Sequence, residues 1–295
     1  MALTIPCNTS WVINLAEFID YVKTKVDLSD EDSIVAAAPM FRSLANDREL
    51  VIRKLNQLVK DEFRSQPNPS SQAIFLGGGQ DFFVRANIWP SNADIAGGRL
   101  YQDKFSYHLA HDHNYTFMTV GYHGPGYITE IYEYDRDRIQ GHVGERVELR
   151  FLERQQFMPG MVMLYRAGKD VHAQFPPEDL SVTLNFMISS PEERLREQHF
   201  FDLQNGTLLD SPPGGEDSGR LSLLKLAGLV GNGDTQELLH DISRKHPSKR
   251  SRLAAFDSLT QLNPTRAVPI WESAAEDREP MVKEVALNKL RALAG

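Results

Sequence analysis

A single cysteine, Cys7, stands in 295 residues, which excludes an internal disulfide and a thiolate metal cluster. Basic residues are in the minority, 32 Lys and Arg against 40 Asp and Glu for a net charge of −8, and they form no block. That argues against a nucleic-acid partner, because such binding rests on neutralising phosphates. Long apolar runs are missing as well. SIVAAAPMF is among the longest, well short of the roughly 18 residues that span a bilayer. The opening MALTIPCNTS lacks the charged start and apolar core of a secretory signal. A cytoplasmic protein with no membrane partner is expected. There is no G-x-S-x-G elbow, P-loop, Rossmann glycine fingerprint or HExxH, and GGGQ at 77–80 lacks the following helix that cradles phosphate.

What the chain does contain falls into three textures. Residues 1–66 read as helices that pack on the segment that follows. Trp11, Leu15, Phe18, Ile19 and Val22 recur at helical spacing, an alanine-rich run extends from Ile34 to Leu44, and a third carries Leu50, Ile52, Leu55, Leu58 and Val59. Ser29-Asp30 and Asn46-Asp47 are suitable caps. Residues 67–205 instead offer short segments rich in aromatic and β-branched residues, among them AIFLGG, DFFVRANIW, KFSYHLAHDH, TFMTVGY and LSVTLNFMI, separated by Gly, Pro, Asn and Asp. Many short strands with regular turns indicate an all-β sandwich or barrel. HGPGY suits a type II turn with Pro125-Gly126 at its centre. ERVELRFLE alternates Val147, Leu149 and Phe151 against Arg146, Glu148 and Arg150, as a half-buried strand would. Residues 206–220, with SPPGGEDSG, read as a linker.

Helices resume over 221–295. KRSRLAAFDSLTQL (249–262) and PMVKEVALNKLRAL (280–293) align at an offset of 31, pairing Arg252 with Lys283, Ala255 with Ala286, Phe256 with Leu287, Leu259 with Leu290 and Leu262 with Leu293. This resembles HEAT-type repeats, whose units bury their apolar faces on one another and bind macromolecules. A plain helical cap is the alternative, and a protein partner for these helices is an expectation.

Histidine is the informative residue. His108, His111, His113 and His123 fall close together, and His111 and His113 flank one residue on an expected strand, so both point to one face. Neutral imidazole is the commonest ligand for first-row metals. Parity turns Asp112 and His108 away and places Phe105, Tyr107 and Leu109 with the histidines. Tyr107 is then a candidate to position substrate or a proton, or else fills the barrel. His123 and His142 read as turn residues; His199, His240 and His246 read as surface residues. HDH does not supply the H-x-D of a 2-oxoglutarate oxygenase.

At HDHNYTFMTVGYHGPG and PGMVMLYRAGKDVHAQF the chain resembles the cupin family, with motifs G-x5-H-x-H-x3,4-E-x6-G and G-x5-P-x-G-x2-H-x3-N. His111 and His113 match the first, and Pro159-Gly160, Ala167-Gly168 and His172 match the second. The resemblance covers about 120 residues. It departs where Phe117 and Met118 replace the glutamate ligand, and where Ala173 to Pro176 supply no asparagine. Glu130 on the next strand is the remaining carboxylate to consider.

The resemblance implies an α+β protein, a cupin-type double-stranded β-helix barrel flanked by helices, with His111, His113 and His172 holding a metal. Fe(II) is the first expectation, with Zn, Mn and Ni as alternatives. The activity implied is a non-heme iron oxygenase acting on a small polar organic molecule. The alternatives are a non-redox metal cupin (isomerase or lyase) and a binding or scaffold protein with a structural barrel. Pairing of barrels as a homodimer is a further expectation.

Overall fold

The computed structural model describes residues 3–62, 64, 72–96, 105–188, 197–209 and 218–294. They fall into two compact units. The first comprises Met1–Arg136 and Glu148–Arg194, the second Asp137–Val147 and Leu195–Gly295.

The first unit opens with β1 (Leu3–Thr4) and four helices, α1 (Leu15–Lys25), α2 (Glu31–Ala36), α3 (Ala38–Ala45) and α4 (Leu50–Lys60). A capping box starts α1: Asn14 accepts from the Glu17 amide while the Glu17 side chain takes the Asn14 amide. The run from Ile34 to Leu44 is not the single helix expected. It breaks at Ala37 because Pro39, in the first turn of α3, has no amide to continue the ladder.

Then follow β2 (Ala73–Gly78), β3 (Phe82–Trp89), the short α5 (Asn92–Ala96), β4 (Ala110–His111), β5 (Phe117–His123), β6 (Tyr127–Glu133), β7 (Arg150–Phe157), β8 (Val162–Tyr165), β9 (Asp170–Phe175) and β10 (Ser181–Ile188). They form two antiparallel sheets, β1-β8-β5-β10-β3-β2 and, within this unit, β4-β9-β6-β7. Alternation gives the first sheet two different faces. Val84, Ala86, Met118, Val120, Leu164, Leu184 and Phe186 form its outer face and pack with Phe18, Phe41 and Leu44 of α1 and α3. The ring of Phe186 lies 5.4 Å from Phe18 and 5.7 Å from Phe82. On the inner face, Trp89, Phe117, Met163, Tyr165 and Met187 meet Tyr127, Ile131 and Phe157 of the second sheet. The two sheets therefore enclose an aromatic interior.

The β5–β6 connection is the expected tight turn. Gly126 sits at φ +85°, and a Cβ there would strike the carbonyl of Phe157. Two strand expectations need correction. KFSYHLAHDH is not a continuous strand: His108 adopts φ +61°, so only Ala110–His111 pairs regularly, with a single bridge from Tyr107 to Gln174. ERVELRFLE becomes a strand only from Arg150, and a register shift opposite Ile131/Tyr132 leaves Phe151 exposed rather than inward.

The second unit holds a hairpin of β11 (Phe200–Asp202) and β12 (Thr207–Leu209), then α6 (Ser218–Val230), α7 (Gly233–Lys245), α8 (Lys249–Leu262), α9 (Ala267–Ala275) and α10 (Pro280–Ala294). The expected barrel limit at 205 thus differs from the observed grouping. Residues 197–209 belong with the helices, where Glu197 accepts from the Arg250 amide and Arg146 bridges to Thr207. Of the expected linker 206–220, residues 210–217 lie outside the described residues. The two aligned segments are α8 and α10. Ala255 and Ala286 are both fully buried, but Phe256 is buried where Leu287 is 45% exposed. No helix among the described residues is long and apolar enough to cross a membrane.

Candidate metal centre

His111 and His172 face each other across the β4–β9 pair, and His113 follows just beyond β4. The amide of Gly168 donates to the His113 carbonyl (2.8 Å), which pins the segment beyond the strand end. The three side chains converge on one point. His172 Nε2 lies 3.1 Å from His111 Nε2 and 3.1 Å from His113 Nε2, and all three ligand atoms fall within 4.8 Å of one another. Two imidazole nitrogens bound at about 2.1 Å to one ion, at right angles, would stand about 3 Å apart, so the spacing fits a shared ion. A single proton on His172 Nε2 serves only one neighbour, whereas a cation serves all three lone pairs.

The tautomers agree with this. His111 Nδ1–H donates to the Leu109 carbonyl (2.9 Å), leaving Nε2 bare toward the centre. Gln174, two residues along β9 from His172 and on the same face, places its Nε2 3.0 Å from His172 Nδ1 and 3.1 Å from His172 Nε2, while its Oε1 is buried without a partner. All three imidazoles are held neutral, the form that ligates. For His111 burial lowers the pKa, against smaller upward pulls from the Leu109 carbonyl and Asp112. Burial, followed by the other two histidines and Arg85, keeps His113 well below the usual range. For His172 burial acts first and His111 second.

Aromatic rings wall the centre. Tyr115 stacks on His113 at 4.8 Å, Phe117 meets it edge-on at 4.9 Å, and Tyr165 lies 4.6 Å from the His172 ring while stacking on Phe117 at 4.7 Å. The Tyr165 hydroxyl is buried beside Thr129 and Tyr127, and burial raises its pKa. Tyr107 is on the interior side, as its parity suggests, but its hydroxyl donates to the Pro90 carbonyl (2.8 Å) and burial raises its pKa too. Asp112 is fully buried and turned away, accepting from Tyr134 (2.6 Å) and Arg136 (3.1 Å). Glu130 lies opposite Ala173, one residue out of phase with His172, and its carboxylate is taken by Arg154 and Tyr132 on the outer face. It does not join the centre.

Of the other histidines, His108 and His123 are exposed, and His240 lies on the open side of α7. His142 stands 3.5 Å from Glu284, and His246 Nδ1 accepts from the Ser248 amide. His199 corrects the surface reading, since it is 2% exposed in the second unit.

Two residues of the interior escape a reading by motif: Gln174, and Arg85 on β3. The same-face rule that couples His111 to His113 also couples His172 to Gln174. Arg85 shares the parity of Phe83, Asn87 and Trp89 on β3, which is the signal that marks it as inward-facing.

No family model matches the chain, and no curated protein matches it. Among solved structures, a structure of the DMSP lyases RdDddP and RnDddQII is 13% identical over 43% of this chain, with a TM-score of 0.25; the match spans 50% of that chain. Hydroquinone 1,2-dioxygenase from Sphingomonas sp. TTNP3 with 4-hydroxybenzoate bound is 12% identical over 43% of this chain and 72% of its own, at 0.27. A cupin domain from Bordetella pertussis Tohama I is 10% identical over 42% of this chain and 99% of its own, at 0.24.

Proposed function

We propose that the first unit is a metal-dependent enzyme of the cupin type, a non-heme Fe(II) oxygenase acting on a small polar organic molecule. The observation that carries this reading is the convergence of three neutral histidine Nε2 atoms, spaced for one ion, inside an aromatic-walled interior. His111, His113 and His172 would hold the ion, and bound Fe(II) would supply open positions where substrate and O2 meet. The protein's own contribution is to orient and to exclude water. Leu109 fixes the His111 tautomer and Gln174 holds the His172 ring, while Phe117, Tyr115 and Tyr165 line the centre with aromatic surface. Tyr107, tied to Pro90, serves as a rigid wall that positions substrate.

A second reading, Lewis-acid lyase or isomerase chemistry with Zn or Mn, is favoured by Tyr165. Burial keeps the proton on its hydroxyl, and its ring lies 4.6 Å from that of His172, so it would be placed to donate to a substrate carbonyl oxygen beside the ion. In the same proposal α8 and α10 are HEAT-like repeat units of the second unit.

An oxygen electrode separates the two chemistries. Fe(II)-loaded protein, run against a panel of small polar organic compounds, is expected to consume O2 with at least one of them, and to stop when His172→Ala removes a ligand. Turnover that proceeds unchanged under argon assigns the Lewis-acid reading instead.

A further inference from the structure

The inner face of the first sheet carries a cation with no ion-pair partner among the described residues. Three neutral imidazoles leave both charges of a divalent ion in place. The inner face of the first sheet adds Arg85, which alternation on β3 sets between Phe83 and Asn87. Arg85 has no ion-pair or hydrogen-bond partner among the described residues, and its Nε is buried. In the sheet Arg85 pairs with Asn185 of β10, which on its other side lies opposite Thr119 of β5, two residues along from Phe117, whose ring stands 4.9 Å from His113. The Oδ1 of Asn185 already accepts from Thr119 and Thr183, each at 3.0 Å. Asn87, next on the same face as Arg85, has a buried Oδ1 with no partner.

Of the carboxylates nearby, Glu153 on β7 lies opposite Ile131 and accepts from Gln155 at 3.1 Å, and three others are paired with arginines. Asp112 pairs with Arg136, Glu130 with Arg154, and Asp170 with Arg166 through two contacts of 2.9 and 2.6 Å. Among the described residues the cluster at the centre contains histidines only. A partly buried guanidinium with no counter-ion carries a desolvation cost, which is recovered when a ligand brings the anion.

We propose that the site takes a small organic acid, whose carboxylate pairs with Arg85 while a second donor atom of the same molecule reaches the point shared by His111, His113 and His172. The proposal rests on the metal reading and narrows its substrate class. It assigns Arg85 as the residue that selects acids over neutral analogues, with Asn87 beside it to meet the acid's remaining polar edge. Arg85 presents its donors in a fork that matches two carboxylate oxygens, which a lysine does not reproduce.

The test compares a series of small carboxylic and 2-hydroxycarboxylic acids with the corresponding primary amides. Each is titrated calorimetrically into zinc-loaded and into metal-free protein, for the parent, Arg85→Gln and Arg85→Lys. The parent is expected to bind at least one acid about 30-fold or more tightly than its amide, as fits a desolvated charge pair. Arg85→Gln should lose that preference while taking up zinc with the parent's stoichiometry, and Arg85→Lys should keep part of it. The inference is overturned if no acid binds the parent in preference to its amide, or if Arg85→Gln retains the preference. The metal reading fails separately, if the parent takes up no zinc; the titration of metal-free protein then decides the Arg85 assignment by itself.

Discussion

Two arginines, one in each unit, are partnered in opposite ways: Arg252 is buried and Arg85 partly so. Arg252, on α8 of the second unit, is fully buried and fully matched. Its Nε and Nη2 each donate to Asp277 at 2.8 Å, and its Nη1 donates to the carbonyls of His246 and Pro247. Arg85, on the inner face of the first sheet, has no such partner among the described residues. Buried polar groups in folded proteins are normally satisfied, and a network that is complete serves stability. The contrast extends to neighbours: Asn87 and Gln174 each carry a buried oxygen without a partner in the first unit's interior.

Substitutions can break that comparison. Arg252→Met leaves Asp277 buried and uncompensated, so it should cost the second unit about 3–5 kcal/mol, read as a shift of the urea midpoint of its helical signal. A loss under about 1 kcal/mol would mean the pair is not what holds α8 to the segment before α10. Arg85→Met removes a charge that pairs with nothing, so stability of the first unit should change by only about 1 kcal/mol, in either direction. A loss as large as that at Arg252 would show that Arg85 has a structural partner after all.

A smaller effect concerns acid. Burial alone would raise the Asp277 carboxyl, but the Arg252 guanidinium and the Glu279 amide outweigh it and hold the pKa below its ordinary value. A depressed carboxylate contributes stability that is complete above the unfolded-state value of about 3.9 and is lost as pH falls through the folded value. The second unit should therefore weaken below about pH 4, and Arg252→Met should flatten that limb. Equal acid limbs in parent and variant would place the sensitivity elsewhere.

The sequence made some of this legible, for definable reasons. HxH on a strand shares a face by geometry, and the returning P-G…A-G-x3-H brought His172 to the same point, so the three nitrogens were readable as a set. Alternation likewise marked the short strands, and Pro125-Gly126 marked their tightest turn. Register was not legible. The left-handed backbone at His108 and the shift between β6 and β7 are local decisions of packing, and they moved Phe151 from the expected interior to solvent. Arg85 and Gln174 were missed because long polar side chains on a strand read as a solvated face unless the parity of their neighbours is followed. His199 was read as exposed because the pairing of β11 with β12, which buries its surroundings, has no strong periodic signature.

The central claim is the three-histidine metal centre, and metal content tests it most directly. Parent protein purified without added metal or a histidine tag would be measured by elemental mass spectrometry beside His111→Ala, His113→Ala and His172→Ala. One divalent transition-metal ion per chain in the parent, falling to trace levels in each variant, is the predicted result. A parent that carries no metal and takes up neither Fe(II) nor Zn on titration, or variants that keep the parent's content, would contradict the account.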